Sequence, residues 1–192
     1  MRLASALCVL TLCATAAWAT EIEGVKLPKR VQLGAAGPDL VLNGAGVRVR
    51  LIFKVYVAAL YLPAKLSDGE AILRGDQPNR LVMHMLRDLS AEQINSSIND
   101  ALRETLTPEE RQPLDARMAR FNAIFDTLRE IREGTRVTLD YLPPLGTIVS
   151  VNAEEKDRIS GADFNQALLR VWLGDRPRDP ELRKALLGIG AR

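Results

Sequence analysis

Reactive side chains are scarce in this sequence. Among 192 residues there is one histidine, His84, and two cysteines, Cys8 and Cys13. A single imidazole excludes a multi-histidine metal centre, and no zinc-ligand spacing, H-E-x-x-H or EF-hand loop occurs. No G-x-x-x-x-G-K-[ST] or G-x-S-x-G is present. Gly44-Ala45-Gly46 lacks the third glycine of a dinucleotide fingerprint and precedes a strand-like segment rather than a helix. No metal and no cofactor are expected. An excess of one charge is also missing: 26 basic and 24 acidic residues give a net charge of +2, too little for a nucleic-acid-wrapping protein. With 47% hydrophobic and 26% charged residues the composition is that of a globular chain, and its length suits one domain.

The N-terminus carries the longest apolar run. Residues 1–19 have Arg2 as a basic start, an apolar stretch from Leu3 to Ala16 and an Ala17-Trp18-Ala19 exit. This is the pattern of a cleaved secretory signal peptide, and it predicts a periplasmic protein whose mature domain is residues 20–192. Leu7 before Cys8 and Leu12 before Cys13 do not fit a lipoprotein signal. Cleavage would remove both cysteines, so the mature chain would rest on its core without disulfides. Its size suffices, since a domain of this length buries roughly 70% of its unfolded surface. No later run reaches 18 apolar residues, so no membrane span is expected after cleavage.

Periodicity then orders the elements. Residues 22–33 suggest short strands around Pro28. Strands are expected at about 39–42 and 47–62, with Asn43-Gly44 and Gly46 as the interruption. A short helix follows at 67–74 with Ser67 as cap, then a strand at 79–87 with Leu81, Met83 and Met85 on one face. Ser90 with Gln93 is a capping box ahead of an Ile94, Ile98, Ala101, Leu102 stripe. Thr107-Pro108 starts a further helical segment whose stripe runs from Leu114 to Ile131 and ends at Gly134. Residues 135–141 and 147–152 form a hairpin, and Glu154-Glu155 reads as a turn. Helices are expected from Gly161 to Leu173 and from Asp179-Pro180 to Leu187. The sum is α+β: a largely antiparallel β-sheet covered on one face by a layer of helices.

Residues 44–62 are the most informative stretch. Val47, Val49, Leu51, Phe53, Val55 and Val57 alternate as one apolar face, while Arg48, Arg50, Lys54 and Tyr56 share the opposite parity. Such a polar face is ordinarily a solvated one. If it instead faces a cleft, an arginine fork and a phenol make an anion clamp. A bulge would break the parity. His84, mid-strand, reads as a polar residue on a strand face, and Glu109-Glu110 as a helix start.

Gly44-Ala45-Gly46-Val47-Arg48 followed by Phe53-Lys54-Val55-Tyr56-Val57-Ala58-Ala59-Leu60-Tyr61-Leu62 resembles the chalcone isomerase-like family, and within it the bacterial exported branch. Tyr141-Leu142-Pro143 with Gly146-Thr147, the Phe164 to Gly174 helix and the Pro180 to Gly188 segment extend the resemblance over nearly the whole mature chain. It implies a ligand cleft between sheet and helices. The family contains plant enzymes that cyclise chalcones to flavanones, plastid proteins that bind fatty acids, and members without demonstrated catalysis. Arg48 matches the arginine that stabilises the phenolate in the enzymes. Tyr56 stands where the enzymes have threonine and the fatty-acid binders tyrosine. The helix start Ser90 to Ser96 holds neither the tyrosine nor the lysine of the enzymes.

The resemblance therefore implies a non-catalytic binder of a small amphipathic acid, fatty-acid-like or phenolic, held by Arg48 and Tyr56, and the strand alternation adds Arg50 as a candidate beside them. Two alternatives stand beside it: an isomerase, an intramolecular lyase on a chalcone-like enone with Arg48 as electrostatic catalyst, and a structural or partner-binding protein with a vestigial cleft. Nucleic acid is not expected as a partner. An interior Arg48 would need an acceptor from a ligand, a side chain or water.

Overall fold

Residues 19–190 are described in a computed structural model of the protein. The expected signal segment lies outside them, Ala19 apart. In chain order the elements begin with β1 (Ala19–Ile22), β2 (Val25–Pro28), β3 (Arg30–Gln32), β4 (Asp39–Arg50) and β5 (Phe53–Leu62). Next come α1 (Gly69–Arg74), β6 (Asn79–Met85), β7 (Leu89–Ser90), α2 (Ala91–Thr105) and α3 (Pro108–Arg111). A 3-10 turn, Gln112–Leu114, leads into α4 (Asp115–Leu128). The chain ends with β8 (Glu130–Ile131), β9 (Arg136–Leu142), β10 (Gly146–Val151), β11 (Glu154–Ile159), α5 (Ala162–Leu173) and α6 (Pro180–Leu186).

The main sheet is antiparallel throughout, in the order β11-β10-β9-β6-β5-β4-β3. Period-2 alternation assigns β5 to two cores. Ala58, Leu60 and Leu62 point into the helix layer with Leu81, Met83 and Met85 of β6. Val57, Ala59 and Tyr61 point the other way, against Leu27 of β2, Leu33 just after β3 and Leu40 of β4. The helix layer packs through the stripes of α2 and α5 and through Phe121, whose ring meets Phe125 and Phe164 edge-on at 5.3 and 6.2 Å. Each such buried side chain contributes roughly 1.5–3 kcal/mol. The expected α+β architecture, helices on one face of an antiparallel sheet, is observed.

The capping box of α2 forms as its sequence predicts: Gln93 N donates to Ser90 Oγ at 3.2 Å and Ser90 N to Gln93 Oε1 at 2.9 Å. Four local expectations are corrected. Asp68 rather than Ser67 caps α1, accepting from Glu70 N and Ala71 N. The stripe expected to run to Ile131 leaves the helix at Leu128, because Arg129 takes φ 63 and Ile131 joins β8. Glu154-Glu155 opens strand β11, an edge strand paired only with β10, whose charges disguise it in the sequence.

The fourth correction concerns Asn43-Gly44, which does not interrupt the strand. β4 runs through it with a bulge between Leu42 and Gly44, and the reversal comes at Leu51-Ile52. The Asn43 amide is buried. It donates to Leu66 O at 2.9 Å and Leu186 O at 2.8 Å, and accepts from Leu66 N at 2.7 Å. Gly44 and Gly46 leave room for α6: a Cβ on Gly44 would lie 2.0 Å from the Ala185 carbonyl oxygen. These turn-forming residues serve close packing instead.

Candidate functional site

A second bulge shapes the site. Arg48 pairs with Tyr56 and Val49 with Lys54, so Val55 is an extra residue on β5. Before the bulge, Arg48 and Tyr56 share the helix-facing side. After it the alternation resets, and Arg50 and Phe53, opposite each other, both line the cleft. Lys54 leaves the face that simple parity gave it, and its Nζ pairs with Glu23 Oε2 at 2.7 Å. The expected Arg48, Arg50, Lys54, Tyr56 face is thus corrected by one inserted residue.

The cleft is a cavity of about 260 Å³ between this end of the sheet and helices α2, α4 and α5. Its walls include Met83, Met85, Ile94, Ile98 and Phe125. Arg48, Tyr56 and Ser97 also border a smaller space of about 30 Å³, room for roughly one water. Among the described residues no carboxylate or imidazole lines the cavity of about 260 Å³. His84 lies on the opposite face of the sheet, in a groove with Arg80, Arg136 and Asp140. Burial and the neighbouring Arg136 charge hold its imidazole below the usual histidine range. No cluster of three or more potential metal ligands occurs among the described residues.

Arg48 is interior and finds its acceptor in the protein. Its Nη1 lies 3.1 Å from Asp179 Oδ2 and donates to the Arg178 carbonyl at 3.2 Å, with the two side chains only 17% and 15% exposed. Asp179 has two further duties, accepting from Leu182 N at 3.0 Å as the cap of α6 and from Val49 N at 3.2 Å. The Arg48 charge is therefore shared rather than free.

The Tyr56 hydroxyl accepts from Trp172 Nε1 at 2.9 Å. Burial pushes its phenol above the ordinary value, against the opposing pull of the Trp172 bond and Arg48, while Asp179 adds to the rise. Tyr56 is a neutral donor at physiological pH, and no acceptor takes its proton among the described residues.

Arg50 stands exposed at the mouth. Beside it is Arg87, which carries no signal in the sequence: it follows β6 in a polar stretch with Asp88, and only sheet order brings it to the hairpin. Its guanidinium sits 5.0 Å over the Phe53 ring. Neither Arg50 nor Arg87 has a carboxylate partner among the described residues. The structure thus brings together all three expected binding residues, Arg48 and Tyr56 deep and Arg50 at the rim, and adds Trp172 and Arg87.

Comparison with known proteins agrees with this architecture. A family model described as chalcone isomerase-like matches residues 19–188. No curated protein matches the sequence. Among solved structures, a fatty-acid binding protein of Arabidopsis thaliana superposes with a TM-score of 0.66 at 14% identity, covering 85% of this chain and 92% of that one. At that identity the likeness shows the fold.

Proposed function

The chain belongs to the chalcone isomerase-like family, and from that premise we propose that it is a periplasmic, exported member that binds a small amphipathic acid in the sheet–helix cleft. The observation that carries the reading is the Tyr56 hydroxyl. Its oxygen is occupied by Trp172, and its proton is left for an acceptor beside an apolar cavity. A carboxylate there would accept a hydrogen bond from the Tyr56 O–H and share the remaining Arg48 donors, with its tail along Met83, Met85 and Phe125. The fatty-acid binding neighbour of the same fold supports the class of ligand. A cavity of about 260 Å³ lies just below the usual span of ligand pockets, roughly 300–1,000 Å³, and suits a short or medium chain.

The isomerase reading draws less support. It relies on an Arg48 charge that Asp179 already shares, and among the described residues no lining carboxylate or imidazole stands ready as a base. A vestigial cleft is favoured by that same ion pair, since Arg48 is satisfied without a ligand.

Native mass spectrometry of the purified mature protein, with extraction and identification of released small molecules, tests the binding reading. A co-purifying or titratable acid, weakened in Tyr56→Phe, supports it. An empty protein that binds no medium-chain acid leaves the vestigial cleft. N-terminal sequencing of protein recovered from the periplasmic fraction tests export, with Thr20 as the expected first residue.

A further inference from the structure

The β4–β5 hairpin breaks two rules at its tip. Leu51 and Ile52, the turn residues, are 89% and 85% exposed, and Phe53 and Val49 beside them are 52% and 42% exposed. Leu51 also adopts φ 58, while Ile52 does not have a positive φ. These are the φ signs of a hairpin turn whose first central residue is ordinarily glycine. A β-turn of two aliphatic residues costs both solvation and backbone strain, and local strain of this kind collects at functional sites. Leu51 and Phe53 also line the cavity, so the tip is the cavity's own lip.

The flanks are cationic. Arg50 and Arg87 lack carboxylate partners among the described residues, and Lys54 shares its charge with Glu23. The acidic neighbour of Arg87, Asp88, is engaged with the backbone N–H of Glu133 at 2.7 Å. No helix among the described residues is long and apolar enough to cross a membrane.

We propose that the Leu51-Ile52 tip, with Arg50 and Arg87 as its collar, docks on the surface of an anionic phospholipid bilayer and presents the cavity mouth to it. Apolar insertion and basic attraction are each marginal alone, and reversible membrane binding takes the two together. A convex tip of four side chains is far short of the roughly 800 Å² per partner of a specific protein interface. The docking surface stands without the ligand reading; only passage of an acid between bilayer and cavity rests on it.

Vesicle co-sedimentation of the purified protein, without added acid, tests it. Vesicles of phosphatidylcholine alone are compared with vesicles containing about a quarter phosphatidylglycerol at low and high salt. The expected result is binding to the anionic vesicles that weakens with salt. Leu51→Gly/Ile52→Ser should lower it at least about tenfold. Arg50→Gln and Arg87→Gln should each lower it roughly fivefold. The tip variant keeps its fold, because glycine suits φ 58, and its thermal melt should hold or rise. No binding by the wild type, or equal binding by the folded tip variant, overturns the proposal. So does a concentration-dependent dimer, or capture of a protein, that depends on the tip in the absence of vesicle binding. Calorimetry with a medium-chain acid in solution is independent, so failure of docking and failure of ligand binding are told apart.

Discussion

Replacing Asp179 with asparagine should weaken the fold and tighten the ligand at once. The carboxylate caps α6 through Oδ1 and holds Arg48 and Val49 N through Oδ2. Asparagine keeps the Oδ1 cap and loses the charged acceptor, a loss of about 1.5–3 kcal/mol for hydrogen bonds to a charged group. For a chain of this size that is a fall in Tm of about 3–12 °C. A ligand carboxylate on the far side of the Arg48 guanidinium would lie about 6 Å from Asp179. At an effective dielectric of 20 the repulsion is about 2.8 kcal/mol. If solvent at the cleft mouth screens half of it, its removal still tightens binding about tenfold. Calorimetric titration of a medium-chain fatty acid and the matching alcohol into wild type and Asp179→Asn reads the effect, since the alcohol should gain nothing. An acid affinity that stays level or falls in a variant showing the expected Tm drop would refute the placement of the ligand head at Arg48.

Three further outcomes are expected. Tyr56→Phe leaves the buried Trp172 N–H without its acceptor, which should cost about 1–3 kcal/mol in a urea melt and weaken acid binding about tenfold or more. His84 has its folded pKa lowered, so the unfolded chain takes up the proton first as pH falls; stability is full above the ordinary histidine value and declines below it. His84→Asn should therefore flatten the fall of Tm between about pH 7 and 5. Gly44→Ala places a Cβ against the backbone of Ala185 and Leu186 and should destabilise by at least about 1–3 kcal/mol, seen as an early, broadened thermal transition as α6 lifts from β4.

Where local chemistry and tertiary packing agree, the sequence was readable. The Ser90–Gln93 box, the α2 stripe, the β9–β10 hairpin and the Asp179-Pro180 helix start each answer to neighbours within a turn or a strand. Reading failed where a distant partner decides. Asn43-Gly44 looks like a turn until Leu186, 143 residues on, is seen to need the amide. Leu51-Ile52 looks like mid-strand because nothing in its chemistry marks a reversal. Strand alternation marks Arg48, Arg50 and Tyr56, and the family resemblance singles out Arg48 and Tyr56, but the counter-charge on Asp179 and the rim guanidinium of Arg87 come from other elements and have no local signature.

The ties between β4 and α6 bear on the order of folding. Asn43 needs the Leu186 carbonyl, Gly46 packs on Ala185, and Arg48 needs Asp179, so the strand that carries Arg48 waits for the last stretch of chain. Contacts of such sequence separation carry a large loop-closure cost and form slowly. A nascent chain that has not yet delivered residue 179 holds a paired hairpin whose guanidinium has no counter-charge and whose glycines line an open face. The anchoring of Arg48 beside the cleft is therefore a late product of folding, and a chain cut before α6 should form much of its sheet while leaving that guanidinium without its counter-charge.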